Sequence, residues 1–359
     1  LFAVPFDAER LQVTPGPVPV IEGVRRAVAT ATGTAQFSVA NTGSLIYIPG
    51  PATTTTNEQA LALVDRKGVA EQLKVRPAAY EFPRVSPDGS RIAVGTDDGK
   101  DANVWIYDLS ASTAIRQLTF AGRNKVPVWT TDGKRVTFQS DREGDLAIFW
   151  QLADGTGTAE RLTKPDKDTA HVPESFSADG KILSFDVERG SRHSLWTLAL
   201  EDKKTAAFSD VQSSNFLTSS SFSPDGRWLA YESSSADGLA SVFVQPFPPT
   251  GAKYLAAANA IHPIWSPDGR ELFFNSRGQF SVVSVVTKPS FAVGNTTALR
   301  SAGAARERGP GFSRDSDILP DGNRVIGIVA PDITQSASAN VINVVLNWFD
   351  ELKQRVPTR

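Results

Sequence analysis

The 359 residues carry 37 Lys and Arg against 39 Asp and Glu, a net charge of -2, which leaves no basic footprint for nucleic acid. The chain has no cysteine, which excludes disulfides, thiolate catalysis and cysteine-type zinc sites. No apolar run approaches the roughly 18 residues that a membrane-crossing helix needs, and a chain that opens on Leu1 and lacks methionine reads as a trimmed product or a fragment.

In chain order, LFAVPFD at Leu1 and PVPVIEG at Pro17 read as two strands. FSVANTGSLIYI from Phe37 reads as a hairpin, and PGPATTTTNEQ from Pro49 as a long polar loop. A stronger pattern then recurs: an apolar run, Ser-Pro-Asp-Gly or a near variant, and a second apolar run. It appears as FPRVSPDGSRIAV from Phe82, VPVWTTDGKRVTF from Val126, ESFSADGKILSF from Glu174, SSFSPDGRWLAY from Ser220, HPIWSPDGRELFF from His262 and DILPDGNRVIGI from Asp317. Asp-Gly between two apolar runs supplies the positive φ of a tight hairpin turn. The flanks are rich in Val, Ile, Phe and Trp, as strands prefer.

Each hairpin is followed by a third strand-like run, such as NVWIYDL from Asn103, LAIFWQL from Leu146, SLWTLAL from Ser194, SVFVQPF from Ser241 and FSVVSVV from Phe280. A shorter fourth run follows, as in RQLTF from Arg116 and ERLTK from Glu160. The stretch SAGAARERGPGFSRDS from Ser301 reads as a loop, VINVVLNW from Val341 as a further third strand, and NWFDELKQRV from Asn347 as a short helix or a tail.

Each unit is thus a four-stranded meander, A to D, which buries both faces only by radial stacking. The turn glycines Gly43, Gly89, Gly133, Gly180, Gly226, Gly269 and Gly322 recur every 43 to 53 residues, the period of propeller blades. The expectation is all-β: one β-propeller domain over 1–359, with seven four-stranded blades. Its last blade draws A, B and C from the C-terminus and its outer strand from the N-terminus. Six blades and eight blades are the alternatives.

The elements SPDGRWLAY, WSPDGRELFF and TFQSDREGDLAIFWQLADGTG resemble the repeats of TolB-like (WD40-like) bacterial β-propellers. Six blades, usual for TolB itself, would leave one hairpin unused. At the two ends, VPFDAERLQVTPGPVPVIEGV, AQFSVANTGSLIYIPG and NVVLNWFDELKQRVPT resemble the C-terminal propeller region of bacterial membrane-anchored serine/threonine kinases. The kinase domain is absent, with no glycine-rich phosphate loop, HRD or DFG. The resemblance implies an extracytoplasmic (periplasmic or secreted) sensor portion and supplies no catalytic residues.

In a propeller the A–B and C–D turns share one face, and the B–C and D–A loops share the other, where ligands enter the channel. The three histidines, His171, His193 and His262, all map to this mouth face, where imidazoles suit acid–base work. Carboxylates there include Glu81, Asp97, Asp98, Asp141, Glu143, Asp145, Asp168, Glu188, Asp315 and Asp317. Paired acids would serve glycoside hydrolysis, and several oxygen ligands would hold calcium in the channel. Arg123, Lys125, Arg306, Arg308 and Arg314 would hold an anion. The plain reading of all these residues is a solvated rim.

Trp129 and Trp265 occupy the same place before their turns and read as packing between blades. G-x-S-x-G and H-E-x-x-H are absent. The expected function is therefore a non-catalytic module that binds a small molecule, glycan or protein at the mouth, as a monomer, through Arg123, Lys125, His171, His262 and Arg314. The alternative is a glycoside or ester hydrolase using His171, His193, His262, Glu81 or Asp315.

Overall fold

The computed structural model describes residues 1–4, 6–7, 9–13, 17–24, 35–49, 58–110, 115–234, 239–288, 290–299, 312–331 and 342–355. The chain forms two compact units, Glu58–Pro331 and Leu1–Asn57 with Asp332–Arg359, where the sequence reading has a single domain.

The larger unit holds six four-stranded antiparallel sheets among the described residues. Blade 1 runs Tyr80–Val85, Arg91–Asp97, Ala102–Asp108, Ile115–Gln117. Blade 2 runs Asn124–Trp129, Arg135–Ser140, Ala147–Leu152, Glu160–Arg161. Blade 3 runs Ala170–Phe176, Ile182–Arg189, Arg192–Ala199, Lys204–Ser214. Blade 4 runs Ser221–Phe222, Trp228–Ser234, Ala240–Pro246, Tyr254–Ala257. Blade 5 runs Ala260–Trp265, Glu271–Ser276, Gln279–Val286, Ala292–Ala298. Blade 6 takes A and B from Ser316–Ile318 and Arg324–Val329, and C and D from Ala60–Asp65 and Ala70–Gln72.

The turns explain the hairpins. In blade 1, Ser86 Oγ donates to Asp88 at 2.5 Å, Asp88 accepts the Ser90 N–H at 3.0 Å, and Ser86 Oγ accepts the Arg91 N–H at 2.9 Å. Gly89 sits at φ +72°, which a residue with a Cβ adopts only under strain. The same Ser/Thr–Asp contact recurs at Thr130–Asp132, Ser177–Asp179, Ser223–Asp225 and Ser266–Asp268.

Apolar layers fill every blade-to-blade space. Blades 1 and 2 share Val104, Ile106, Trp129 and Phe138; blades 2 and 3 share Ile148, Phe176 and Leu183. Blades 3 and 4 share Leu195, Phe208 and Leu229, and blades 4 and 5 share Trp228, Val244, Phe274 and Val283. Blades 5 and 6 meet at Phe273, Val282 and Ile318, and blades 6 and 1 at Leu61, Ile326, Ile92 and Val94, which closes the ring. The Trp129 and Trp265 indoles donate to the carbonyls of Arg84 and Ser221 in the preceding blades, both at 3.0 Å, so both tryptophans are blade-to-blade packing.

Closure differs from the sequence expectation in its strands. Ala60–Asp65 pairs with Arg324–Val329 residue for residue along its whole length. The run expected there, at Val341, contributes only Asn343–Val345, which pairs instead with Leu45–Tyr47. Residues 60–64 are all apolar and buried, so they satisfy a blade packed on both faces, whereas Val344 is 55% exposed. The hairpin at Gly43 therefore heads a three-stranded sheet in the smaller unit rather than a seventh four-stranded blade. In that unit Val20, Leu45 and Trp348 form a small core, Phe2–Ala3 pairs with Val18–Pro19, and Trp348–Arg355 is a helix.

Candidate functional site

The inner strands carry a repeated irregularity. Blades 1, 2 and 5 break register just before Pro83, Pro127 or Pro263 or at that proline, where a proline cannot donate to the ladder. The residues ahead of these prolines, Phe82, Val126 and His262, have positive φ of 52°, 51° and 59°, and Ser219 in blade 4 has 42°. Such bulges re-aim a side chain and leave backbone N–H groups without a ladder partner.

Carboxylates, all but Asp317 buried, take up backbone N–H groups in and near these A-strand irregularities across blade boundaries. Asp315 accepts from Phe82 N–H at 3.1 Å and Asp317 from Val85 N–H at 3.0 Å. Glu174 accepts from Ser220 N–H at 2.9 Å, Asp186 from Thr218 N–H at 3.2 Å, and Glu232 from His262 N–H at 2.9 Å. The acids thus stitch one blade to the next.

Two of the re-aimed side chains, Phe82 and Val126, meet Val172 and Leu217 at the start of the A strands. Phe82, Val126, Val172 and Leu217, from four blades, form one buried apolar cluster. They floor a cavity of about 370 Å³, whose walls add Lys125, Gln139, Glu188, Ser191, His193, Asn215, Phe312 and Ser313. The wall residues come from the A and B strands of blade 2 (Lys125, Gln139), from the B–C hairpin of blade 3 (Glu188, Ser191, His193), and from the segments that lead into the A strands of blades 4 and 6 (Asn215, Phe312, Ser313). An apolar floor with a few convergent polar groups, in this size range, is the usual form of a ligand site.

Of the sequence candidates, the cavity brings together His193, Lys125 and Glu188. His193 Nδ1 donates to Asp186 Oδ2 at 2.8 Å. Burial pushes the His193 imidazole down, but the hydrogen bond and charge of Asp186, then the charges of Glu188 and Glu174, outweigh it and hold it above its ordinary value. Behind it, Asp186 accepts from Thr218 Oγ1 at 3.1 Å, and Thr218 Oγ1 reaches Glu174 at 2.9 Å. Burial raises both carboxyls, and it raises Glu232 to about 7. Lys125 pairs with Asp97, whose two oxygens also accept from Arg123 Nη2, both at 2.8 Å.

The remaining candidates sit elsewhere. His171 is buried on the Phe185 ring at 5.0 Å between centroids, and burial lowers it to about 4. His262 is buried and donates from Nε2 to the Phe312 carbonyl at 2.8 Å. Arg314 bonds Asp317 at 3.3 Å, and its carbonyl accepts from Arg84 at 2.9 Å. Glu81 lies half-buried opposite Gly95 in blade 1. Arg306 and Arg308 lie outside the described residues. No group of three or more His, Asp or Glu among the described residues is arranged to hold a metal ion.

Asp186 and Glu232 escaped the sequence reading, although a signal existed. Gln139, Asp186, Glu232 and Asn275 occupy the same place after their turn glycines, a polar residue inside an otherwise apolar B strand.

No family model matches the chain. Among curated proteins it is similar to "Uncharacterized peptidase YuxL" of Bacillus subtilis, 27% identical over 202 residues, which cover 54% of this chain and 29% of that protein. It is also similar to the Tol-Pal system protein TolB of Francisella tularensis, 27% identical over 161 residues, which cover 45% of this chain and 37% of that protein. The matched region thus spans only 29% and 37% of these relatives' own length. Among solved structures, a TolB from Agrobacterium tumefaciens superposes with a TM-score of 0.59 at 16% identity, over 76% of this chain and 98% of that one. TolB from Acinetobacter baumannii gives 0.52 at 19% identity, over 70% of this chain and 65% of that one. No helix among the described residues is long and apolar enough to cross a membrane.

Proposed function

We propose that this chain, a TolB-like β-propeller by fold, is a non-catalytic binding module that takes its ligand or partner at the mouth cavity. The observation that carries the reading is the cavity of about 370 Å³, floored by Phe82, Val126, Val172 and Leu217 and rimmed by Lys125, Glu188 and His193. The buried carboxylates Asp315, Glu174 and Glu232 are already spent on backbone N–H groups, which supports binding over chemistry. The resemblance of both chain ends to kinase-linked propellers supports an extracytoplasmic sensor or scaffold. A small molecule, a glycan and a segment of a partner protein all remain within the reading.

The test is a thermal-shift panel of sugars, cell-wall fragments and peptides on the chain and on Leu217→Asp. A ligand at about 100 times its Kd adds about 2.7 kcal/mol to the folded state. The reading expects a saturable rise that Leu217→Asp abolishes. A rise of equal size in that variant places the ligand elsewhere and sinks it.

One observation favours a second reading. A cavity histidine held by a buried aspartate is the arrangement of a general base with its orienting group. In a hydrolase of glycosides or esters, His193 would take the proton of an attacking water. Turnover on such substrates that persists unchanged in His193→Gln removes this reading.

A further inference from the structure

The mouth cavity has three charged side chains on its wall, and their partners are unequal. Lys125 is held by Asp97. His193 is held by Asp186. Glu188 has no hydrogen bond or ion pair through its side chain among the described residues.

The strand register sharpens the contrast. Glu188 stands directly opposite His193 in the B–C hairpin of blade 3, so both side chains share one face. Arg189 stands opposite Arg192, and the alternation of strands sends this pair to the other face. Arg189 also lies 3.9 Å from Asp166. No arginine of the hairpin therefore neutralises Glu188 from within the cavity. Even with its proton, the single imidazolium of His193 faces two carboxylates, Asp186 behind it and Glu188 across from it. Beside the Glu188 carboxylate lies the apolar floor of Phe82, Val126, Val172 and Leu217, with Phe312 on the wall.

Resting on the mouth-site reading above, we propose that the cavity recognises an organic cation on an apolar stem, its amine or guanidinium paired with Glu188 and its stem on the apolar floor. An unpaired carboxylate next to desolvated apolar surface rewards such a ligand twice: the charge gains a partner and the stem leaves water. Amide and hydroxyl groups on the same wall, from Gln139, Asn215, Ser191 and Ser313, are available to the remaining N–H donors of the cation. The chemistry is shared by a free amine and by a lysine or arginine of a partner chain.

The test uses three stems of one shape, 4-phenylbutylammonium, 4-phenylbutanol and 4-phenylbutyrate, titrated by calorimetry into the chain and into Glu188→Gln. The proposal expects the ammonium to bind about tenfold more tightly than the alcohol and the carboxylate to bind weakest. In Glu188→Gln the ammonium falls to the level of the alcohol, while the alcohol itself is unchanged, which shows that the variant is folded. A carboxylate that binds as well as the ammonium, or an ammonium that keeps its advantage in Glu188→Gln, overturns the proposal. If the alcohol and ammonium bind equally and both are lost in Leu217→Asp, the mouth site stands and the cation inference falls. If none of the three binds, the cation inference falls, while the mouth-site reading stands or falls with the thermal-shift panel and Leu217→Asp. A fourth titrant, the capped tripeptide acetyl-Leu-Lys-Leu-amide, separates the sources. Tighter binding than 4-phenylbutylammonium assigns the cation to a partner chain, and weaker binding assigns it to a free amine.

Discussion

His193 donates to Asp186 across 2.8 Å, and Asp186 has no exposure to solvent at all. The pair connects the one titratable ring in the cavity wall to an acid that also holds Thr218 of the next blade. A group on the wall of the proposed binding cavity and a group that staples two blades are therefore the same hydrogen-bonded unit.

Asp186→Asn keeps the shape and removes the charge. The His193 imidazole then loses its main stabilising partner, so its pKa falls, as a histidine NMR titration would record. Stability falls by about 1–3 kcal/mol, because the Thr218 N–H and hydroxyl keep only a neutral acceptor. An unchanged His193 titration contradicts the assigned bond.

Glu232 provides a pH signature. Burial raises its carboxyl from 4.5 to about 7 in the folded chain. A raised folded value means that its contribution is complete below the unfolded value and is lost as pH rises through about 7. By linkage the loss amounts to about 3 kcal/mol. His171 works in the opposite sense, since burial lowers it from 6.5 to about 4 and its contribution is lost as pH falls. The two slopes oppose each other over much of the same range. Glu232→Gln removes one of them, so urea midpoints of that variant should rise with pH between about 4.5 and about 6.5, relative to the parent. Parallel midpoint curves for the two proteins contradict this balance.

Ring closure is open to a paired substitution. Leu61 is fully buried where blade 6 meets blade 1, while Val344 is 55% exposed in the smaller unit. Leu61→Ala should cost about 2–5 kcal/mol and Val344→Ala less than about 0.5 kcal/mol by denaturant unfolding. Equal costs would mean that the strand at Asn343 shares in closing the ring.

The architecture was legible because its signal is local and repeated. Each Asp-Gly turn between apolar runs dictates its own hairpin, and Ser86, Thr130, Ser177, Ser223 and Ser266 show the same bond to the turn aspartate. Strand exchange at the closing blade was not legible, because Ala60–Asp65 and the run at Val341 look alike as apolar strands. Only their partners, Arg324–Val329 for the first and Leu45–Tyr47 for the second, distinguish them.

The grouping of the candidate residues was legible in part. Strand position put His193, Lys125 and Glu188 on one face, and the cavity gathers all three. It could not foresee that Asp315 would be spent on the Phe82 N–H or that His171 would turn onto Phe185, since both depend on bulges and packing between blades.

The mouth-cavity reading itself is most directly tested with a single reporter. The chain has no cysteine, so Ser191→Cys on the cavity wall and Lys134→Cys at an opposite-face turn each accept one environment-sensitive fluorophore without background. Both labelled chains are titrated with 4-phenylbutylammonium and with fractionated cell-envelope sugars and peptides. The account predicts a saturable emission change at the Ser191→Cys label and none at the Lys134→Cys label. A saturable change confined to the Lys134→Cys label, or silence at the cavity wall for a compound that raises the melting temperature, would contradict it.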